Sequence, residues 1–405
     1  MSSRRVPRIP EILELIGRPD PLRSSIQRRL DRCAGVVDVR SLARRRVPGA
    51  VFDYVDGAAM SESSLRRARL AFREVELTPR VLRDVSGVDT TTQILGGVSS
   101  LPIALAPTGF TRMMHHEGES AVVSAAGAAG IPYALSTLGT TSIEDVASAA
   151  PSARRWFQLY ITRDRSQAED LLARAAGHGY DTLILTVDTP VGGIRYREIR
   201  QGLTIPPRLS MGALADIALH PRWWMNAVTT EPLTFASMAS TDGTVGDLLS
   251  RVLDPSVTGD DLAWIREHWS GRILVKGVQS VEDARLVADL GVDGIVLSNH
   301  GGRQVDLGTV PLELLPRVVD AVGGKVQVAI DGGILSGADV VASLAFGADF
   351  VLVGRAYLYG LMAGGQSGVA RIIEILHKEI RTTMQLIGVS TIAESREAQV
   401  RLRSS

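Results

Sequence analysis

The 405-residue chain predicts a (β/α)8 TIM barrel with an N-terminal helical extension and a long insertion after the fourth strand. Three observations lead there. Short apolar runs recur eight times; each ends in a polar or glycine residue and is followed by a helical pattern; and Gly-X-Asp leads into a strand in GYDTLILTVD, GVDGIVLSNH and GADFVLVGR. Near-continuous apolar strands alternating with helices belong to a parallel sheet covered on both faces, and eight such units close a ring. An open doubly wound sheet competes, but its glycine fingerprint is missing, since the turn after the first strand reads APTGF.

In chain order, the expected strands are PIALAP from 102, YALST from 133, RWFQLY from 155, TLILTVD from 182, RILVKG from 272, GIVLSN from 294, VQVAID from 326 and FVLVGR from 350. Helical patterns run over 117–129, 142–149, 166–178, 281–290, 311–322 and 337–346, with a long one after 367. Before the ring, VFDYV and SSLRRARLAF read as helices. Residues 1–34 form a basic arm, 35–390 the barrel unit, and 391–405 a tail. The insertion, about 200–260, contains adjacent Trp223 and Trp224 and a helix near 260–268.

Composition narrows the classes. With 45% hydrophobic and 22% charged residues the chain is ordinary globular material. Its 44 basic and 44 acidic residues balance, so no global field recruits nucleic acid. A lone Cys33 allows no internal disulfide and no zinc ligand set, which fits a reducing compartment. No apolar run approaches the roughly 18 residues of a spanning helix. The expectation is a cytoplasmic protein, free or peripheral on the inner face of the cell membrane.

Active sites of such barrels lie at the carboxyl ends of the strands. Those ends here are Pro107, Thr108 and Gly109; Ser136; Gln158 and Tyr160; Thr186 and Asp188; Lys276; Ser298, His300 and Arg303; Asp331, Gly332 and Gly333; Gly354 and Arg355. Serines and glycines at such places often only cap strands. That explains poorly why one of three lysines and one of seven histidines land there. His300 suits a base, and Arg303 with Arg195 suits a grip on a carboxylate. The glycines between His300 and Arg303 are expected to let backbone approach a flat ligand. Glycines after the seventh and eighth strands suit a phosphate. His115 and His116, in HHEGE, lack the helical spacing of a metal pair, and no metal is expected.

SNHGGRQVD, with APTGF, WFQLY, LTVDTP, LVKG, IDGG and VGR, resembles the FMN-dependent 2-hydroxy acid dehydrogenase and oxidase family over about residues 35–390, most of all its bacterial lactate dehydrogenases. The resemblance implies FMN as cofactor and a small 2-hydroxy acid as substrate. His300 would be the base, oriented by Asp188; Arg303 and Arg195 would bind the carboxylate with Tyr54 and Tyr160. Lys276 would stabilise negative charge on the reduced flavin. Pro107, Thr108, Gly109, Ser136, Gln158, Thr186 and Ser298 would surround the isoalloxazine, Asp331 the ribityl chain, and Gly332, Gly333, Gly354 and Arg355 the phosphate. A homotetramer is implied too.

Leu335 departs from the pattern, standing where many members have an arginine. Its lost charge-assisted hydrogen bond is worth roughly 1.5–3 kcal/mol, so Leu335→Arg is expected to tighten FMN. Gly109 favours a dehydrogenase passing electrons to a quinone or other carrier, where many oxidases have alanine. For residues 209–228 two readings stand: a membrane-docking segment or a lid. Phe110 and Leu138 are expected to border the substrate side chain. The competing functions are an oxygen-using oxidase of a bulkier acid, a non-catalytic phosphate-ligand barrel, and a Schiff-base enzyme using Lys276.

Overall fold

The computed structural model describes Arg8, Glu11 and residues 24–201, 211–238 and 253–403. Three short strands, β1 (Val75–Leu77), β2 (Thr92–Ile94) and β3 (Gly97–Ser99), precede the ring. Eight strands then close it: β4 (Ile103–Leu105), β5 (Tyr133–Ser136), β6 (Arg155–Leu159), β7 (Thr182–Thr186), β8 (Arg272–Val278), β9 (Gly294–Leu297), β10 (Gln327–Ile330) and β11 (Phe350–Val353). Every neighbouring pair is parallel, and β11 returns to β4. The eight apolar runs are therefore the eight barrel strands, as expected.

The runs are apolar throughout because both faces are buried. Outward residues pack on the helices; inward ones, among them Ala104, Ala134, Trp156, Ile184, Leu274, Val296, Ala329 and Phe350, fill the ring. Register fits volume to volume. Ala134 lies beside Trp156 and Ala329 beside Phe350, and the two large rings meet edge-on at 5.9 Å. Small residues thus make room for large ones in a packed interior.

The end of the barrel at which the strands begin is plugged. The β2–β3 hairpin turns at Leu95 and Gly96, both at positive φ, and buries Ile94 and Leu95 beneath the ring. Gln327 Oε1 accepts the Leu95 N–H at 2.7 Å, and Arg154 Nη1 donates to the Ile94 carbonyl at 2.6 Å.

Helices Gly49–Asp56 and Ser63–Arg73 form where VFDYV and SSLRRARLAF place them. In the stretch read as an arm, helix Ser25–Asp31 buries Leu30 against the C-terminal helix. That last helix starts at Arg355, directly after β11, and runs to Ile387 with a kink at Gly364 and Gly365; the expected start after 367 falls just past this kink. The stretch read as a tail carries helix Ile392–Arg396 and strand β12 (Val400–Leu402), which pairs antiparallel with β1.

Insertion helices Met211–Ala218 and Pro221–Thr229 pack beside helix Gly49–Asp56 and the segment after β4. Asp216 accepts the Gly49 N–H, and Trp223 Nε1 donates to the Met113 carbonyl at 2.9 Å. Residues 209 and 210 of the candidate docking segment lie outside the described residues. No helix among the described residues is long and apolar enough to cross a membrane.

Candidate active site

At the carboxyl ends of the strands lies a cavity of about 890 Å³. After β9 the chain makes one tight turn in which His300, Gly301 and Gly302 all have positive φ, at 55°, 64° and 74°. Histidine tolerates this region better than branched residues do, and glycine enters it freely. The turn lifts the imidazole into the cavity, where Nδ1 stands 3.0 Å from Asp188 Oδ1 at the end of β7. Burial would raise the Asp188 carboxyl, but the His300 and Lys276 charges hold it below its ordinary value. An ionised carboxylate fixes the imidazole's orientation and favours a proton on Nδ1, leaving Nε2 as the basic atom.

The glycines correct one expectation. A Cβ at Gly301 would sit 2.4 Å from Arg355 Nη1, and one at Gly302 would sit 2.7 Å from the Leu65 backbone. Their bareness accommodates other parts of the protein first, although Gly301 also lines the cavity.

Lys276, on β8, is buried. Its Nζ lies 3.1 Å from Asp331 Oδ2 and donates to Ser298 Oγ at 2.9 Å. Burial opposes the ammonium, yet the Asp331 and Asp188 carboxylates raise its pKa. The lysine is thus a fixed cation, the opposite of the neutral amine a Schiff-base nucleophile requires.

Arg303 and Arg195 face the same space. Between them stands Glu198, a residue missed from sequence, whose Oε1 accepts from Arg303 Nη2 at 3.0 Å and whose Oε2 accepts from Arg195 Nη1 at 3.3 Å. A carboxylate bridging two guanidiniums is direct evidence that the pair suits one. Arg303 is also seated on the Tyr54 ring, 4.8 Å from its centre. Burial raises the Tyr54 and Tyr160 hydroxyls, so both stay protonated donors. The spacing G-G-x-R-x-x-E, residues 192–198, offered a signal for Glu198, because one helical turn brings it back beside Arg195.

Pro107, Thr108, Gly109 and Ser136 line the opposite wall. Behind Ser136, buried Gln158 accepts its hydroxyl at 3.0 Å through Oε1, while its Nε2 has no partner among the described residues. Thr186 and Ser298 are buried beneath the cavity floor. Asp331 Oδ1 is likewise buried and has no hydrogen-bond partner among the described residues. A donor and an acceptor left over on opposite sides of the barrel fit the edge of a heteroaromatic ring and a hydroxylated chain, which is what FMN offers. At the far end Gly332, Gly333, Gly354 and Arg355 meet. Both DGG glycines have positive φ, 89° and 85°, so their N–H groups form a turn suited to an anion.

Another side of the cavity brings Phe110 and Leu138 together with three insertion residues not foreseen, Leu233, Phe235 and Leu253. Phe235 meets Phe110 edge-on at 4.8 Å. Elsewhere His115, His116 and Glu117 bring three ligand atoms together. The His115 and His116 rings lie 4.5 Å apart, tilted by 33°, and Glu117 Oε2 accepts the Gln366 N–H, while His116 Nδ1 is buried with no hydrogen-bond partner among the described residues. Burial pushes His115 down to about 4.

Known proteins resemble this chain in sequence and fold. A profile of the FMN-dependent dehydrogenase family matches residues 43–402. A Mycobacterium tuberculosis relative, provisionally named an L-lactate dehydrogenase, is 51% identical over 392 residues, covering 97% of this chain and 95% of its own. The L-lactate dehydrogenase of Caulobacter vibrioides is 43% identical, covering 90% and 96%. The crystal structure of the monotopic membrane protein (S)-mandelate dehydrogenase superposes with a TM-score of 0.87 at 36% identity, covering 92% of this chain and all of that one. A mandelate oxidase follows at 0.81 and 37%, covering 91% and 99%. With the family profile spanning nearly the whole chain and the strand ends presenting these groups in one cavity, the chain belongs to the FMN-dependent 2-hydroxy acid dehydrogenase family.

Proposed function

We propose that the protein oxidises L-lactate, or an L-2-hydroxy acid of similar size, to the 2-oxo acid and hands the electrons to a quinone or another carrier. The observation that carries this reading is the His300–Asp188 pair facing the same cavity as two arginines that already hold a carboxylate. The substrate carboxylate replaces Glu198 between Arg195 and Arg303. Tyr54 and Tyr160, kept protonated by burial, donate to its oxygens and hydroxyl. His300 Nε2 accepts a proton, and the imidazolium formed is stabilised by Asp188. Oxidation removes two electrons and two protons in all, and two-electron acceptance is the chemistry FMN supplies when bound. Lys276, paired with Asp331, provides the cationic wall for that charge.

Names of relatives support lactate; the structural neighbours act on mandelate. A second reading, a bulkier acid, is favoured by the reach of the cavity to Leu233 and Leu253. Dehydrogenase character is supported by Gly109, where an added Cβ would lie 2.9 Å from Leu138 Cβ. Peripheral membrane contact is supported by the insertion's outer residues Leu219, Trp224, Met225 and Val228, which are exposed, while Trp223 turns inward. Replacing those four by serine is expected to release the protein from sedimenting membranes without slowing turnover with a soluble dye; unchanged sedimentation would exclude the dock.

The direct test of function is anaerobic. L-lactate is expected to bleach the flavin band faster than (S)-mandelate, and a quinone to restore the colour faster than oxygen. Failure of every 2-hydroxy acid to bleach it would leave only a binding barrel.

A further inference from the structure

Leu335 faces the phosphate end of the cavity without a charge to offer, and a guanidinium stands nearby on a different element. Arg69 lies in the last turns of helix Ser63–Arg73 and lines the same cavity. Its Nε and Nη2 are buried and have no hydrogen-bond partner among the described residues. An arginine in that state inside a protein is costly unless an anion completes it. The helix is held against the DGG turn, because a Cβ at Gly333 would lie 2.7 Å from the Ala68 carbonyl oxygen. Arg69 therefore springs from the residue next to the contact with the phosphate turn.

Arg355 confirms that positive charge accumulates at this corner. Its Nε and Nη2 are committed to the carbonyls of Val55 and Gly57, and it forms no ion pair among the described residues. Burial first, then the Arg303 and Arg69 charges, push it down to about 10. Two guanidiniums with no carboxylate between them face one bed of N–H groups.

We infer that Arg69 supplies the FMN phosphate with the guanidinium that Leu335 lacks, so that the phosphate is gripped by an N-terminal helix and the barrel's own loops together. This rests on the reading of the Gly332–Gly333 and Gly354–Arg355 corner as the phosphate seat. It also changes the expectation for Leu335→Arg. With Arg69 present, a new arginine enters beside two existing cations, and its gain shrinks; with Arg69 removed, it fills an open place.

The test uses the full chain stripped of flavin and titrated with FMN and with riboflavin, which lacks the phosphate, following flavin fluorescence. Arg69→Met is expected to weaken FMN about 10- to 100-fold and leave riboflavin unchanged. Leu335→Arg is expected to restore FMN in the Arg69→Met background by a larger factor than it gains in the unsubstituted protein. An FMN affinity unaltered by Arg69→Met, in a protein that still prefers FMN to riboflavin, overturns the role of Arg69 and spares the seat. Equal losses for both flavins also overturn it, as a structural effect. An unsubstituted protein that binds riboflavin as tightly as FMN removes the seat, and the inference with it.

Discussion

The two ends of the barrel are built from the same strands and solve opposite problems. At the plugged end, charged side chains are matched with charged partners of the protein: Arg154 pairs with Asp181 at 2.6 Å, and Arg272 with Asp293 at 2.6 Å, and the buried atoms left over there, Arg155 Nε and Trp156 Nε1, belong to residues that do not line the open-end cavity. At the open end, Arg69, Arg195, Gln158, Asp188 and Asp331 each keep a buried polar atom without a partner among the described residues. The folding chain could have filled those places with apolar side chains at lower cost. Leaving donors and acceptors unmatched in one cavity is the mark of a surface completed by ligands.

That contrast is most sharply tested by removing its reactive group. His300→Ala is expected to lower turnover about 10²- to 10⁴-fold while the purified protein stays yellow. A colourless variant would mean that the turn at 300–302 supports the cavity wall rather than the chemistry. The interior between the two ends should behave in the reverse way. Trp156→Ala, which empties the space beside Ala134, is expected to cost about 3–5 kcal/mol in urea unfolding; a loss below about 1 kcal/mol would show that the ring collapses around it.

Acid and base load the open end in opposite directions. Asp188 is held below its ordinary pKa, so its contribution to stability is present above about pH 4 and is lost as pH falls through the lowered folded value. Lys276 is raised, so its contribution is present below about pH 10 and is lost as pH rises through the folded value. Asp188→Asn is expected to flatten the acid limb of a pH–stability curve and, because Asp188 also helps raise Lys276, to shrink the alkaline limb by a smaller amount. An unchanged acid limb would remove the Asp188 ion pair from the account. Smallest of all, Asp181→Asn at the plugged end breaks a half-exposed pair and is expected to change stability by about 0–1 kcal/mol with no effect on flavin.

The difference between the ends also explains what could be read from sequence. Strands were legible because burial on both faces leaves uninterrupted apolar runs, and the residues ending them inherit their place at the open end from barrel geometry alone. His300, Asp188 and Lys276 were found in that way. The plug was not: the β2–β3 hairpin has three-residue strands, and its seat under Gln327 depends on a contact 232 residues away. Arg69 and Glu198 were missed for a related reason. They sit on helices among many other charged residues, and only folding shows which of the chain's arginines loses its solvent. Leu335 was noticed as a missing charge, but the sequence held no sign of where the replacement would come from. Gly301 and Gly302 were recognised as close-approach positions, but spacing did not reveal that Arg355 and helix Ser63–Arg73 also fill the space beside them.

A crystal structure with FMN and pyruvate bound would test the central claim most directly. The account expects the pyruvate carboxylate between Arg195 and Arg303 with Glu198 displaced, His300 facing the keto group, and Gln158 Nε2 and Asp331 Oδ1 each within hydrogen-bond distance of the flavin. It is contradicted if those two atoms stay unpaired in the complex, or if His300 and Lys276 prove to touch ligands in separate places.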